Sequence, residues 1–314
     1  MTMQTCLVMG AGGFIGKALC KKLAKEYKVL AYDIRPIEEL KDVENIKIVT
    51  GNFIEEKNFQ NILDGVDKVF HLISTTIPSE STKHIDIEIE HNIIPTVRLL
   101  EGMVACGVNE IIFASSGGTI YGETGNHINC VDDRLNPICS YGVQKKVIES
   151  YLEFYGIRYG INYKIARISN PYGLGQNPDK PQGVIPIFIK RLFNNEPITI
   201  FGDGNNERDY IYMDDLMDAL IALTKYSGDK HIFNIGSGQV HTLNEIIESI
   251  EKQADRKFIL IKYADMRKCD VSKTLLETKT SQAELKWKPR ISLNNGISVI
   301  VNGHIQHKNK IDAW

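Results

Sequence analysis

One glycine-rich stretch constrains everything that follows it. Thr5-Cys6-Leu7-Val8-Met9 is a short apolar run of β-forming residues, and it breaks at Gly10-Ala11-Gly12-Gly13-Phe14-Ile15-Gly16. An amphipathic stretch from Lys17 to Lys25 comes next, then a second apolar run, Val29 to Tyr32, which ends on Asp33. Strand, glycine-rich turn, helix, strand and acid form the layout of a dinucleotide-binding βαβ unit. Gly10 permits the tight turn, Gly13 lets the backbone approach a pyrophosphate, and Gly16 lets helix and strand pack closely. The free N–H groups and dipole of the helix start favour phosphate charge. Asp33 stands 20 residues after Gly13, where a carboxylate can accept from both ribose hydroxyls.

The pattern keeps alternating. Ile46–Val49 reads as a strand and Glu55–Leu63 as a helix; Val66–Ile73 reads as a strand ending in Ser74-Thr75-Thr76. Asp86–Cys106 reads as one long helix with Ile89, Ile93, Val97, Leu100 and Val104 along a face. Glu110–Ala114 and Tyr163–Ile168 are further strands, and between them a helix starts near Ser140. Such alternation predicts an α/β fold, a doubly wound parallel sheet (Rossmann) covered on both faces. Ligands of these sheets sit beyond the carboxyl ends of the strands, which gathers Gly10–Gly16, Asp33, Ser74–Thr76 and Ser115–Thr119 around one crevice.

Residues 171–210 hold five of the ten prolines and read as a looser lobe. Asp214–Lys225 is helical, Ile232–Ile235 is a strand, Thr242–Gln253 is a helix with a Thr242/Glu245 capping signal, and Ser281–Gly303 reads as short helix and loop. The expected division is a dinucleotide domain over 1–170, rejoined by 211–236, and a smaller, mostly C-terminal substrate lobe over 171–210 and 237–314.

At 314 residues, 43% hydrophobic and 24% charged, the chain reads as a globular protein with a large core. A net charge of −2 gives no electrostatic reason to expect nucleic acid or an anionic membrane as partner. No signal peptide is expected, and no apolar run approaches the roughly 18 residues of a membrane span. The six cysteines form no C-x-x-C pair, which predicts reduced thiols and a cytoplasmic protein. The eight histidines show no ligand spacing, so no metal site is expected, and His71 reads as a core histidine.

Tyr141 and Lys145 lie four apart at the start of a helix, on one face. An ammonium about 5 Å from the phenol, at an effective dielectric near 20, would favour phenolate by on the order of 3 kcal/mol. Tyr141 could then exchange a proton with a hydroxyl whose carbon exchanges hydride with a nicotinamide. Spacing alone is weak evidence, since most such pairs are an exposed lysine beside a packed ring. Ser115-Ser116 leads into Gly117-Gly118-Thr119-Ile120-Tyr121-Gly122, where a hydroxyl could bond a sugar. Arg208 and Arg267 could each meet a diphosphate.

Together with Gly10-x-x-Gly13-x-x-Gly16 and Tyr141-x-x-x-Lys145, the chain resembles the extended short-chain dehydrogenases/reductases. Within them it is similar to the NAD-dependent epimerase/dehydratase enzymes of the UDP-glucose 4-epimerase kind. Resemblance runs from about Thr5 to Ile300, through Val69–Leu72, Ser115–Gly122, Arg167–Gly173, Phe201–Tyr210, Asn234–Gly238 and Arg267–Val271. It implies a nicotinamide cofactor, NAD with NADP possible, on Gly10, Gly13, Phe14, Ile15, Gly16 and Asp33, with Asn52 and Phe53 facing the adenine and Leu72 lining the cleft. Tyr141 would be the acid/base, and Lys145 would bind ribose and lower the Tyr141 pKa. Asn170, Arg208 and Arg267 would hold the nucleotide diphosphate, Val184, Ile185 and Pro186 would wall the nucleotide pocket, and Thr75 and Thr76 would lie near the hexose.

Two positions depart from the family. The usual Ser or Thr four residues before the tyrosine of the Tyr-Gly pair is Gly117, leaving Ser116 or Thr119 as its replacement. An Asp usual at the adenine face is Asn52. Arg35 keeps NADP open. The resemblance implies a 4-epimerase acting through a 4-keto intermediate in surface-polysaccharide precursor synthesis. The rival readings are a one-way reductase of a dTDP-4-keto-6-deoxyhexose and a non-catalytic cofactor-binding regulator. A homodimer through the helices Asp86–Cys106 and Ser140–Tyr159 is implied only by the family.

Overall fold

The computed structural model describes residues 3–78, 81, 84–267 and 270–311, with side chains as far as 306. Its strands are β1 (Thr5–Met9), β2 (Lys28–Asp33), β3 (Ile46–Thr50), β4 (Lys68–His71), β5 (Glu110–Ser116), β6 (Ile128–Asn129) and β7 (Asn162–Ile168). They continue with β8 (Asn170–Tyr172), β9 (Ile198–Phe201), β10 (Glu207–Tyr212), β11 (Ile232–Ile235), β12 (Val240–Thr242), β13 (Ile261–Ala264) and β14 (Lys273–Leu276). Seven form one all-parallel sheet in the order β11-β7-β5-β4-β1-β2-β3. The order reverses between β1 and β4, and the crevice at that switch point is where such sheets bind ligands.

The helices are α1 (Phe14–Leu23), α2 (Gln60–Leu63), α3 (Ile85–Glu88), α4 (Ile94–Cys106), α5 (Ser140–Tyr159), α6 (Val184–Phe193), α7 (Met213–Lys225), α8 (Leu243–Ala254), α9 (Lys279–Leu285) and α10 (Leu293–Ile311). Alternate strand residues point to opposite faces, so the sheet supports two cores. On one face Cys6, Val8, Ala31 and Ile112 pack with Leu19 and Leu220; on the other Leu7, Met9, Val69 and Phe113 pack with Leu99, Ile148 and Leu152. A third core joins α6, α8 and α10 over β9 and β10. The strands therefore read as continuous apolar runs, as sheets buried on both faces must.

Several expectations need correction. The helix expected over Glu55–Leu63 shrinks to Gln60–Leu63, because the Asn52 and Asn58 side chains accept from the backbone of Ile54 and Gln60 and make turns instead. The long helix is not one regular α-helix. Ile89–Ile93 is π-helical between α3 and α4, and Pro95 follows at the start of α4. Proline cannot donate to the carbonyl of His91 and its ring crowds that carbonyl, so the preceding turn opens. The wider turn rotates the stripe: Ile89 and Val104 are exposed, while Asn92, Thr96, Leu99 and Met103 face inward.

The looser lobe is ordered by α6, β9 and β10, and Ser281–Gly303 contains most of α10 rather than short helix and loop. The capping box at Thr242 and Glu245 is present. Leu285 and Trp287, expected in the lobe, pack into the first core beside α7. No helix among the described residues is long and apolar enough to cross a membrane.

Candidate functional site

The β1–α1 turn is built to receive an anion. Gly10 takes a left-handed φ of +85°, and its N–H and that of Ala11 donate to the Tyr32 carbonyl. At Gly16 a Cβ would lie 2.1 Å from the Gly10 carbonyl oxygen, so only glycine lets the helix start this close to the turn. No side chain caps α1 and no acid stands in its first turn. Its first N–H groups and positive dipole end thus remain for a ligand such as a pyrophosphate. Asp33 ends β2 and accepts from the Gly12 N–H at 2.8 Å, which sets its carboxylate over the turn. These features fit a dinucleotide. Arg35 is exposed two residues further on.

Elsewhere on this rim, Leu72 donates its N–H to Met9 and is half-buried against the first core. The Phe53 ring is turned into the second core against Phe59 and His71, so that residue offers backbone, not its ring, to any adenine. Asn52 spends its side-chain oxygen on Ile54 N–H.

The residues expected to handle the proton meet at the carboxyl end of β5. α5 begins at Ser140, which sets Tyr141 and Lys145 on one face, with Tyr141 half-buried and Lys145 4% exposed. Lys145 Nζ donates to the Ala114 carbonyl at 2.8 Å and lies 4.6 Å from the Phe113 ring centroid and 5.5 Å from that of Tyr141. The Ser116 hydroxyl stands near enough to the Tyr141 phenol to lower its pKa, and Thr119 Oγ1 donates to Ser116 Oγ at 2.9 Å. The two candidate hydroxyls, Ser116 and Thr119, are thus bonded to each other. At 117 a Cβ would meet Leu276 Cδ1 at 2.6 Å and the Arg167 carbonyl oxygen at 3.0 Å, so a side chain there would press on Leu276.

The expected lowering of the Tyr141 pKa is not met in the chain alone. Burial pushes the phenol up to about 12, Cys139 adds to the rise, and the Ser116 hydrogen bond opposes it. Lys145 is itself pushed down to about 8 by burial, against the pull of Glu149 one turn further on. The ammonium is committed to a carbonyl and an aromatic face, and desolvation dominates at the phenol.

Behind α5 lies a buried ion pair, Arg167 to Glu149 at 2.8 Å. Glu149 also accepts from Ser115, and Arg167 donates to the Tyr121 hydroxyl at 2.9 Å, which in turn donates to Asn234. Across Gly118 from Ser116 stands Asn170, whose Nδ2 donates to the Asp209 carbonyl. Arg208 is held by the carbonyls of Glu207 and Val271, and burial lowers its pKa. Arg267 is exposed and stacked 3.8 Å over the Phe201 ring; Lys268 and Cys269 of the same stretch lie outside the described residues. Ile185 and Pro186 are buried on α6, with Ile185 in the third core, and Val184 is half-buried at the helix start.

Four polar residues at the opposite wall escaped the sequence reading. Asn92 joins its amide to the backbone and hydroxyl of Thr75, Gln144 bridges Asn92 and Glu88, and the Tyr141 N–H donates to Ser81. Pro95, which opens the π-turn bearing Asn92, was the available signal. Thr76 Oγ1 and His71 Nδ1 are buried with no protein partner. Among the described residues no three His, Cys, Asp or Glu side chains gather as metal ligands.

Comparison with known proteins matches residues 6–236 to the family described as NAD dependent epimerase/dehydratase. The chain is 36% identical over 304 residues to a dTDP-4-dehydro-6-deoxyglucose reductase of Escherichia coli, covering 94% of this chain and 96% of that one. It is 34% identical over 307 residues to a putative UDP-glucose 4-epimerase of Methanocaldococcus jannaschii, covering 94% and 97%. The crystal structure of a UDP-glucose 4-epimerase of Thermotoga maritima with UDP-glucose superposes with a TM-score of 0.91 at 31% identity, over 97% of this chain and all of that one.

Proposed function

The chain belongs to the NAD-dependent epimerase/dehydratase family, and from that premise we propose that it is a nucleotide-sugar 4-epimerase. It would act at C4 of a nucleotide-activated hexose through a 4-keto intermediate, in the supply of surface-polysaccharide precursors. The observation that carries this reading is the hydroxyl series Thr119, Ser116, Tyr141 beside Lys145, at the crevice that the β1–α1 turn opens.

Bound NAD supplies the hydride acceptor and donor that no side chain provides. Gly10, Gly13, Phe14, Ile15 and Gly16 cradle its pyrophosphate and Asp33 takes the ribose, an assignment supported by the uncapped start of α1. Tyr141 accepts the sugar O4 proton as the ketone forms and returns it as the alcohol reforms. Ser116, supported by Thr119, hydrogen-bonds the phenol, and Lys145 adds positive charge near it and bonds the ribose. Asn170, Arg208 and Arg267 hold the diphosphate; Thr75, Thr76, Thr119 and Val184 border the sugar and nucleotide.

One observation favours a second reading, a one-way reductase of a dTDP-4-keto-6-deoxyhexose. Burial keeps the Tyr141 phenol protonated, the state from which ketone reduction begins, and the E. coli reductase is 36% identical. Incubation with UDP- and dTDP-sugars separates the readings. Turnover without added cofactor identifies an epimerase, and stoichiometric NAD(P)H consumption on a 4-keto sugar identifies a reductase. Neither result leaves a cofactor-binding regulator.

Three further assignments belong to the proposal. A homodimer through α4 and α5 is supported by the exposed apolar side chains Ile89, Val104, Val143, Phe154 and Ile157. A cytoplasmic setting is supported by the reduced thiols of Cys6, Cys20, Cys106 and Cys130. The division into a dinucleotide domain and a lobe is supported by β11 pairing with β7 and by the separate third core.

A further inference from the structure

The start of α5 carries two polar side chains that proton transfer does not use, Ser140, whose hydroxyl donates to Glu88, and Gln144. Gln144 shares the helix face of Tyr141 and Lys145 and is buried, as are Asn92 and Glu88. Its Nε2 donates to Glu88 Oε2 at 2.5 Å, and its Oε1 accepts from Asn92 Nδ2 at 2.8 Å. Glu88 Oε2 accepts from the Ser140 hydroxyl as well, so the Gln144 amide presents its nitrogen to that oxygen. The oxygen must then face Asn92, and this fixes the Asn92 amide in turn. Asn92 Nδ2 also donates to Thr75 Oγ1 at 2.9 Å, while its Oδ1 accepts from the Thr75 N–H at 2.9 Å. Polarity passes from Glu88 to Thr75 with no amide free to flip.

The sequence builds this arrangement locally. Pro95 opens the π-turn Ile89–Ile93, which aims Asn92 across at α5 instead of leaving it on a regular helix face. Thr75 follows β4 and stands on the loop assigned to the hexose. The same loop is fastened to the first turn of α5 at Ser81, which accepts from the Tyr141 N–H at 3.0 Å.

We propose that Gln144 is a positioning residue for the sugar. With Glu88 as its orienting acceptor it holds Asn92, and through Asn92 both the backbone and the hydroxyl of Thr75, at a fixed place relative to Tyr141. The proposal rests on the reading of Thr75 as part of the hexose site. Its physical value is preorganisation: a loop already ordered costs less to order around a ligand, and misplacing a reactant by 1 Å costs about a hundredfold in rate.

The test uses Gln144→Met, which keeps volume and removes both polar ends, together with Asn92→Ala and the double variant. Gln144→Met should raise KM for the nucleotide sugar at least about fivefold, with NAD affinity held within about twofold, as expected for loss of positioning at one end of the cleft. Hydrogen exchange at the Thr75 amide should accelerate at least about tenfold, as its acceptor loses its anchor. The double variant should be no worse than Asn92→Ala alone, since the two act in series. Unchanged Thr75 exchange, or additive losses, would overturn the proposal. So would a parallel fall in kcat, NAD affinity and melting temperature, which marks a merely structural role. Absence of turnover by the unmodified protein on every nucleotide sugar would instead sink the functional reading, and Thr75 exchange would still decide the role of Gln144.

Discussion

Replacing Ser116 with alanine tests the site at its narrowest point. Thr119 donates to Ser116 Oγ at 2.9 Å, which leaves the Ser116 proton free to turn to the nearby Tyr141 phenol. Ser116 is the one group that lowers the phenol pKa against burial, which has already carried it to about 12, and it does so as a hydrogen-bond donor. A hydrogen bond to a charged group contributes about 1.5–3 kcal/mol. At 1.36 kcal/mol per pK unit, its loss raises the phenol pKa further and cuts the phenolate fraction about 10- to 150-fold at any pH below that pKa. The sign follows directly: alcohol oxidation needs the base form, so its rate climbs with pH, and Ser116→Ala shifts the climb to higher pH. The assay is the pH profile of kcat in the oxidative half-reaction, with Thr119→Val alongside. Thr119→Val should show a smaller shift, and the double variant should match Ser116→Ala. A Ser116→Ala enzyme with the unmodified profile and rate would refute the reasoning, and so would fully additive effects.

Tyr141→Phe should cut turnover at least about a hundredfold while NAD affinity holds, measured by steady-state kinetics and cofactor titration. Glu149→Ala leaves Arg167 buried without its carboxylate and should cost about 3–5 kcal/mol in urea unfolding; a loss under about 1 kcal/mol would mean the pair is not needed. His71 is buried between the Phe53 and Phe113 rings, and burial, aided by Lys145, holds its pKa down at about 3. Unfolded histidine titrates near 6.5, so the unfolded state alone takes up the proton as pH falls from about 6.5 to 3, and stability drops by on the order of 5 kcal/mol across that window. Urea midpoints against pH should show this slope in the unmodified protein and lose it in His71→Phe.

The parallel sheet was legible because its strands are buried on both faces and must be apolar throughout. The β1–α1 turn was legible because Gly16 admits no side chain. What the sequence hid has physical causes. α2 lost its first turn to Asn52 and Asn58, whose side chains compete for backbone N–H groups. α10 contains Asn and Gly and lacks helix propensity; packing of Ile297, Ile300 and Val301 into the third core compensates. The Tyr141–Lys145 spacing was readable, but the sign of the phenol shift was not, because desolvation depends on groups brought in from β5. The Glu88–Gln144–Asn92–Thr75 series links four separate positions and has no local signature beyond Pro95.

Gly117 shows how the lobe and the sheet together decide where a hydroxyl can stand. β5 runs on to Ser116, and the Gly117 N–H donates to the Ile168 carbonyl, which holds it against the end of β7. Leu276 of β14 closes over the same point, and β14 pairs with β6. β6 is in turn tied to β11 by Asn234 donating to the Asn129 carbonyl, while Asn234 accepts from the Tyr121 hydroxyl that Arg167 contacts. Position 117 is therefore the seam where the small sheet of the lobe meets the parallel sheet, and a side chain there would have to displace the tip of Leu276. With glycine at the seam, the nearest hydroxyl on this strand is that of Ser116, one residue back. That residue sits at the end of the strand, and Thr119 from the following turn donates to its hydroxyl, so the two hydroxyls are joined where the strand stops.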